Sequence, residues 1–137
     1  VTESWDTEAP QRGDIVYLHG GGLLFGTRDD LSAYHLEQLT GAVFRVLALD
    51  YPLAPNAKLP QILEDILCSV NTAARQPYAL FGRSSGAYLC LLAAASGAAG
   101  DCQLLWIRVS DGRLVRNAER ALQRLSARQR GTAAPPV

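Results

Sequence analysis

The chain has 137 residues, about one domain by length, and its 13 basic and 13 acidic side chains give a formal net charge of zero at pH 7. That balance argues against a nucleic acid or a membrane surface as partner, because neither polyanion would be held by long-range charge. The three cysteines, Cys68, Cys90 and Cys102, are odd in number and lack CxxC spacing, so neither a disulfide framework nor a metal site is expected and a reducing, cytoplasmic setting fits. The polar start "VTESWDTEAPQRGD" and the lack of an apolar run near the ~18 residues of a membrane span predict neither a signal peptide nor membrane insertion.

Residues 15–19 are a β-branched and aromatic run broken by three glycines, which reads as a buried strand and a turn, with barely a dozen residues before it. Residues 32–39, with Tyr34, Leu36 and Leu39 on one mixed face, read as a short helix ending near Gly41. Residues 43–49 are a second buried strand, followed by the proline-punctuated loop "DYPLAPNAKLP". Between 59 and 74, Ile62, Leu63, Ile66, Leu67 and Val70 recur at helical spacing and predict an amphipathic helix lying on a sheet. Residues 78–82 are a third strand, and residues 87–95 are apolar on every side, as a buried helix would be. Strands alternating with helices give an α/β class, a parallel sheet with helices on both faces.

Residues 104–109 read as a fourth strand, and Leu114, Ala118, Ala121, Leu122 and Leu125 line a prospective helix with arginines outside. Residues 1–100 carry 6 basic and 10 acidic side chains, and residues 101–137 carry 7 and 3. The reversal of charge marks residues 1–100 as the core and 101–137 as a basic segment of different character, with a frayed end expected at "RQRGTAAPPV".

Two corners carry the chemistry. Gly82-Arg83-Ser84-Ser85-Gly86 fits G-x-S-x-G only with Ser84 at its centre, so Ser84 rather than Ser85 is the candidate nucleophile. A strand turning straight into a helix strains the central residue, and glycines two positions to either side, Gly82 and Gly86, remove bulk that would clash. The helix N-terminus that follows favours an oxyanion. The bland reading is a Ser/Gly turn, but the flanking strand and buried helix are the context the motif requires. At the other corner, His19-Gly20-Gly21-Gly22 also follows a strand. Consecutive glycines let backbone N–H groups face a cavity, and losing one donor to an oxyanion typically costs about 2.7–4 kcal/mol of barrier lowering. Gly20, Gly21 and the Ser85 N–H are the candidate donors. His19 is expected to hold the glycine loop by hydrogen bonds rather than act as base, and His35 to be a surface or half-buried helix residue.

Together, "HGGG", "LDYPLAPNAKLP" and "GRSSG", in this order, resemble the hormone-sensitive-lipase-like branch of the α/β-hydrolases, the fold-3 esterases. The resemblance covers about residues 13–97. Its D-Y-R-L-A-P-E loop matches Asp50-Tyr51-Pro52-Leu53-Ala54-Pro55-Asn56, with Pro52 in place of arginine and Asn56 in place of glutamate. The resemblance implies a partial α/β-hydrolase fold and a serine carboxylic-ester hydrolase acting on small or medium acyl esters without a cofactor. In that family the triad acid and histidine follow the nucleophile. After Ser84 this sequence has no histidine, and Asp101 and Asp111 come too early for the usual acid, so a truncated or frameshifted member with an incomplete triad is expected, with an exposed sheet edge open to self-association.

Three other readings compete. Gly20, Gly22 and Gly26 after a strand, with Asp50 ending the next, form a weak dinucleotide-binding pattern. A non-catalytic remnant would share every motif with the enzyme. An interaction module would use the basic helix at 114–125.

Overall fold

The computed structural model describes residues 1–4 and 11–96, the backbone of residues 102–106, and residue 120. Eight main elements follow in chain order: strand β1 (Thr2–Ser4), strand β2 (Asp14–Leu18), helix α1 (Ala33–Gly41), strand β3 (Arg45–Leu49), helix α2 (Leu59–Ala73), strand β4 (Tyr78–Gly82), helix α3 (Ser85–Ala95) and strand β5 (Cys102–Trp106). They build one sheet in the order β1-β3-β2-β4-β5. The pairs β2/β3, β2/β4 and β4/β5 are parallel, and Leu18 at the end of β2 lies opposite Leu49 on one side and Gly82 on the other.

Every residue of β2, β3 and β4 is buried. This is why these strands read as unbroken apolar runs: a parallel strand covered on both faces has no solvent side to alternate with. The strand pleat then sorts their side chains. Ile15, Tyr17, Val46, Ala48, Ala79 and Phe81 face Leu39 of α1. Val16, Leu18, Leu47, Leu49, Tyr78 and Leu80 face Ile62, Ile66 and Val70 of α2 and Leu89, Cys90 and Ala93 of α3. Each large apolar side chain so buried contributes roughly 1.5–3 kcal/mol. Helices on both faces are therefore observed, as the alternation of strand and helix predicts.

The helix ends follow local chemistry. Ser32 caps α1 by accepting the His35 N–H at 3.3 Å, and Pro60 sits in the first turn of α2, where a missing N–H costs nothing. At the opposite end of the sheet from the helix starts, Asp14 and Arg45 are buried side by side. The Asp14 carboxylate accepts the Arg45 Nε–H at 2.9 Å, a second guanidinium N–H, and the Arg75 backbone N–H at 2.7 Å. Arg45 also donates to the Ala73 carbonyl at 3.0 Å and lies 3.5 Å from Glu3. Its hydrogen bond to Asp14 raises the guanidinium pKa further, so the charge is permanent.

Several sequence expectations shift, among them the start of β3, which is Arg45 rather than 43, with Val43 before it at φ 62°. Strand β1 was not expected, because Thr2-Glu3-Ser4 has no apolar pattern; it runs antiparallel to β3, with Glu3 opposite Leu47, so the sheet is mixed. Helix α3 begins at Ser85 rather than 87, because the whole change of direction is absorbed by Ser84. Strand β5 begins at Cys102, two residues before the expected 104. The expected helix at 114–125 and the frayed end lie outside the described residues, apart from residue 120.

Candidate functional site

The chain leaves β2 for β3 on one side and reaches β4 on the other, so β2 and β4 flank the point where the strand order reverses. In open α/β sheets ligands bind in the crevice at the carboxyl ends of such strands. Both candidate corners lie there, one after Leu18 and one after Gly82.

Ser84 is exposed and adopts φ 53° and ψ −121°, a conformation disfavoured for a residue with a Cβ. The two flanking glycines are what let this turn close. A Cβ on Gly82 would overlap the Gly86 carbonyl and the Ala87 nitrogen, and one on Gly86 would overlap the Leu18 carbonyl. The helix therefore packs directly against both strand ends. Ser85 differs from its neighbour: its hydroxyl is buried and has no hydrogen-bond partner among the described residues.

The glycine loop comes up against this turn. Gly20 is buried, and a Cβ placed on it would lie 2.9 Å from the Arg83 carbonyl and 3.4 Å from the Ser84 Cβ. The space beside Gly20 is thus closed off by the Arg83–Ser84 turn, which leaves no room for a side chain there. Gly21, at φ +119°, accepts the N–H groups of Leu24 and Phe25 at 3.0 and 3.2 Å, closing a tight turn. Gly22 has φ +63° with open space around it. Among the described residues, the N–H groups of Gly20, Gly21 and Ser85 have no acceptor.

His19 is almost wholly buried and donates from Nδ1 to the Gly20 carbonyl at 2.7 Å. Its ring stacks on Tyr51 at 4.2 Å between centroids and 7° between planes. The Tyr51 hydroxyl donates to the His19 carbonyl at 2.6 Å. Burial pushes the Tyr51 phenol up to about 12, and the Ser85 side chain beside it pulls the other way without meeting the geometry of a hydrogen bond, so the phenol stays a donor at neutral pH. Tyr51 lies in the expected loop motif, but nothing in its spacing assigned it a task; an aromatic residue directly after a strand-ending aspartate was the available signal. Asp50 is exposed and accepts the Arg28 N–H at 2.8 Å, with the Arg28 Nε 3.5 Å from its carboxylate. The Leu23 carbonyl accepts the Ala54 N–H at 2.8 Å. The middle motif thus ties down the glycine loop and the turn that follows it at three points, Tyr51 at His19, Ala54 at Leu23 and Asp50 at Arg28.

His35 stands apart, in the first turn of α1, with Nδ1 2.8 Å from the Ser32 hydroxyl and its ring edge-on to Phe81 at 6.1 Å. The dinucleotide pattern fails on geometry. Gly20, Gly22 and Gly26 open no helix; a short turn at Arg28–Asp30 follows and α1 begins only at Ala33, so the helix N-terminus that would hold a pyrophosphate is missing. Among the described residues no group of three metal-ligating side chains occurs, and no helix is long and apolar enough to cross a membrane.

Comparison with known proteins agrees with this architecture. A family model described as alpha/beta hydrolase fold matches residues 15–128, further than the loop motifs reach. An acetyl esterase of Salmonella paratyphi B is 30% identical over 119 residues, covering 79% of this chain and 33% of that protein. The chain therefore spans about a third of the length of the curated relatives it matches. Among solved structures, an alpha/beta hydrolase superfamily protein from Enterococcus faecalis is 41% identical with a TM-score of 0.57, over 65% of this chain and 34% of that one. A protein of unknown function from Staphylococcus aureus is 40% identical with a TM-score of 0.63, over 69% and 36%. With a mostly parallel sheet, a strand-to-helix corner at Ser84 and a family match over most of its length, the chain belongs to the α/β-hydrolase fold-3 family.

Proposed function

We propose that this chain carries the nucleophile and the oxyanion donors of a serine carboxylic-ester hydrolase. Ser84 is the nucleophile, and the backbone N–H groups of Gly20, Gly21 and Ser85 are the donors. His19, Gly22, Asp50, Gly82 and Gly86 support them. The observation that carries this reading is the close approach of the Gly20 position to the Arg83–Ser84 turn at the point where the strand order reverses. In the reaction, the Ser84 Oγ bonds to the ester carbonyl carbon while a base takes its proton. The carbonyl oxygen becomes an anion held by the N–H groups, the alcohol leaves with a proton, and water then releases the acid from the serine.

The substrate class is esters of small or medium acyl groups, a choice supported by curated relatives called acetyl esterases. No resident cofactor is needed for this chemistry. The hydrolase core is assigned to residues 1–100, which contain every residue named for the proposed site.

A serine hydroxyl is a poor nucleophile until an oriented base takes its proton. The histidines of this sequence are His19 and His35. His19 is engaged with the Gly20 carbonyl and Tyr51, and His35 with the Ser32 cap. Turnover by the 137-residue chain is therefore expected to be slow, since sites that keep donors but lack a triad member retain about 10³–10⁴-fold over water in the serine-protease case. The test is p-nitrophenyl acetate hydrolysis and fluorophosphonate labelling of the chain and of Ser84→Ala. Slow p-nitrophenol release and labelling that both disappear in Ser84→Ala are expected. Equal release by the two proteins would sink the reading, and robust turnover would point to His19, His35 or a second subunit as the base.

A further inference from the structure

The peptide unit joining His19 to Gly20 has the His19 carbonyl on one side and the Gly20 N–H on the other. The unit joining Gly20 to Gly21 likewise sets the Gly20 carbonyl against the Gly21 N–H. Both bonds are trans, the cis bonds among the described residues being Ala54–Pro55 and Gln76–Pro77. In a trans peptide the C=O and N–H vectors point in opposite directions in one plane, so whatever holds the carbonyl also aims the N–H. The Tyr51 hydroxyl holds the first carbonyl at 2.6 Å, and the His19 Nδ1–H holds the second at 2.7 Å.

We infer that Tyr51 is a positioning residue that aims the Gly20 N–H into the site through its hydrogen bond to the His19 carbonyl, while its ring, stacked on the imidazole, steadies the hydrogen bond that aims the Gly21 N–H. The inference rests on the reading of Gly20 and Gly21 as oxyanion donors. A hydrogen bond accepted by a carbonyl also polarises its peptide, so the N–H on the far side becomes a better donor. Burial keeps the phenol protonated at neutral pH, as this role requires. Gly26 closes the arrangement: a Cβ there would overlap the Gly20 carbonyl and lie 2.5 Å from the His19 Nδ1.

The test is Tyr51→Phe, which keeps the stacked ring and removes only the donor. Two readouts are made on the 137-residue chain, the amide NMR signals of Gly20 and Gly21 and the single-turnover release of p-nitrophenol from p-nitrophenyl acetate. The Gly20 ¹⁵N signal should move upfield, more than that of Gly21, and Ser84-dependent release should slow roughly tenfold with KM unchanged, as for a misaimed rather than a missing group. An unmoved Gly20 signal, or release as fast as in the parent chain, overturns the inference. If Tyr51→Phe does not fold, fluorotyrosine incorporated into the parent chain takes its place. Its more acidic phenol should move the Gly20 signal downfield, and an unmoved signal again overturns the inference. Failure of the functional reading looks different: release independent of Ser84, whatever the Gly20 signal does.

Discussion

The two ends of the sheet are built from the same three strands and follow opposite rules. At the amino ends of β2 and β3, the buried Asp14 and Arg45 satisfy each other, and the Arg75 N–H and Ala73 carbonyl take up remaining valences. At the carboxyl ends of β2 and β4, the chain keeps a serine at positive φ, glycines in tight turns and backbone N–H groups without acceptors among the described residues. One end is closed by matched charge; the other is held open by geometry. Unpaired donors and strained backbone persist only where surrounding structure enforces them, and such places tend to be functional sites.

Four tests, one of them with its own control substitution, probe this contrast. Asp14→Ala should have the largest effect on stability, because it strands the Arg45 charge in the interior; breaking a buried pair from one side typically costs about 3–5 kcal/mol. Urea denaturation should show the loss, and a midpoint close to that of the parent chain would mean that the amino end is not closed by this pair. At the carboxyl end, Gly86→Ala drives a methyl group into the Leu18 carbonyl. Overpacking of this kind costs about 1–3 kcal/mol, and because it pushes the helix off the strand end, fluorophosphonate labelling of Ser84 should be lost as well. Gly41→Ala, in the last turn of α1 with open space around it, is the control: less than about 1 kcal/mol of change in stability and little change in labelling.

The third test is alkaline pH. The folded-state phenol of Tyr51 is raised from 10.0 to about 12, so the unfolded chain loses this proton first as pH rises. The stability tied to the protonated phenol is fully present below about pH 10 and is lost on the way to about pH 12, an effect on the order of 2 kcal/mol. Chemical denaturation across this range should fall more steeply for the parent chain than for Tyr51→Phe; parallel curves would contradict the assigned shift. The smallest effect belongs to Asp50→Asn. The Arg28–Asp50 pair is well exposed, and such pairs contribute about 0.2–1 kcal/mol. A melting point close to that of the parent chain is expected, and a large fall would show that the rim of the open end carries more stability than its exposure suggests.

The sequence by itself determined the three central strands and the two long helices, because a strand covered on both faces must be apolar throughout, a helix lying on a sheet repeats its apolar residues every three or four positions as α2 does, and a buried helix such as α3 is apolar all round. It also brought out the two glycine-flanked corners, since only residues without a Cβ fit where a helix turns back onto strand ends, as the overlaps at Gly82 and Gly86 make concrete. Strand β1 was invisible in it: an edge strand such as Thr2-Glu3-Ser4 is defined by the backbone of β3 beside it, not by its own side chains. The nearness of Gly20 to Ser84 required the strand order, because 64 positions separate them in the chain and only the parallel pairing of β2 with β4 makes them neighbours. The task inferred for Tyr51 is likewise a matter of tertiary structure. A tyrosine after a strand has many possible partners, and which carbonyl its hydroxyl meets is decided by how β3 and β2 lie side by side, with Leu49 opposite Leu18. Local pattern reports what each segment must bury; the directions in which hydrogen bonds point are a property of the assembled sheet.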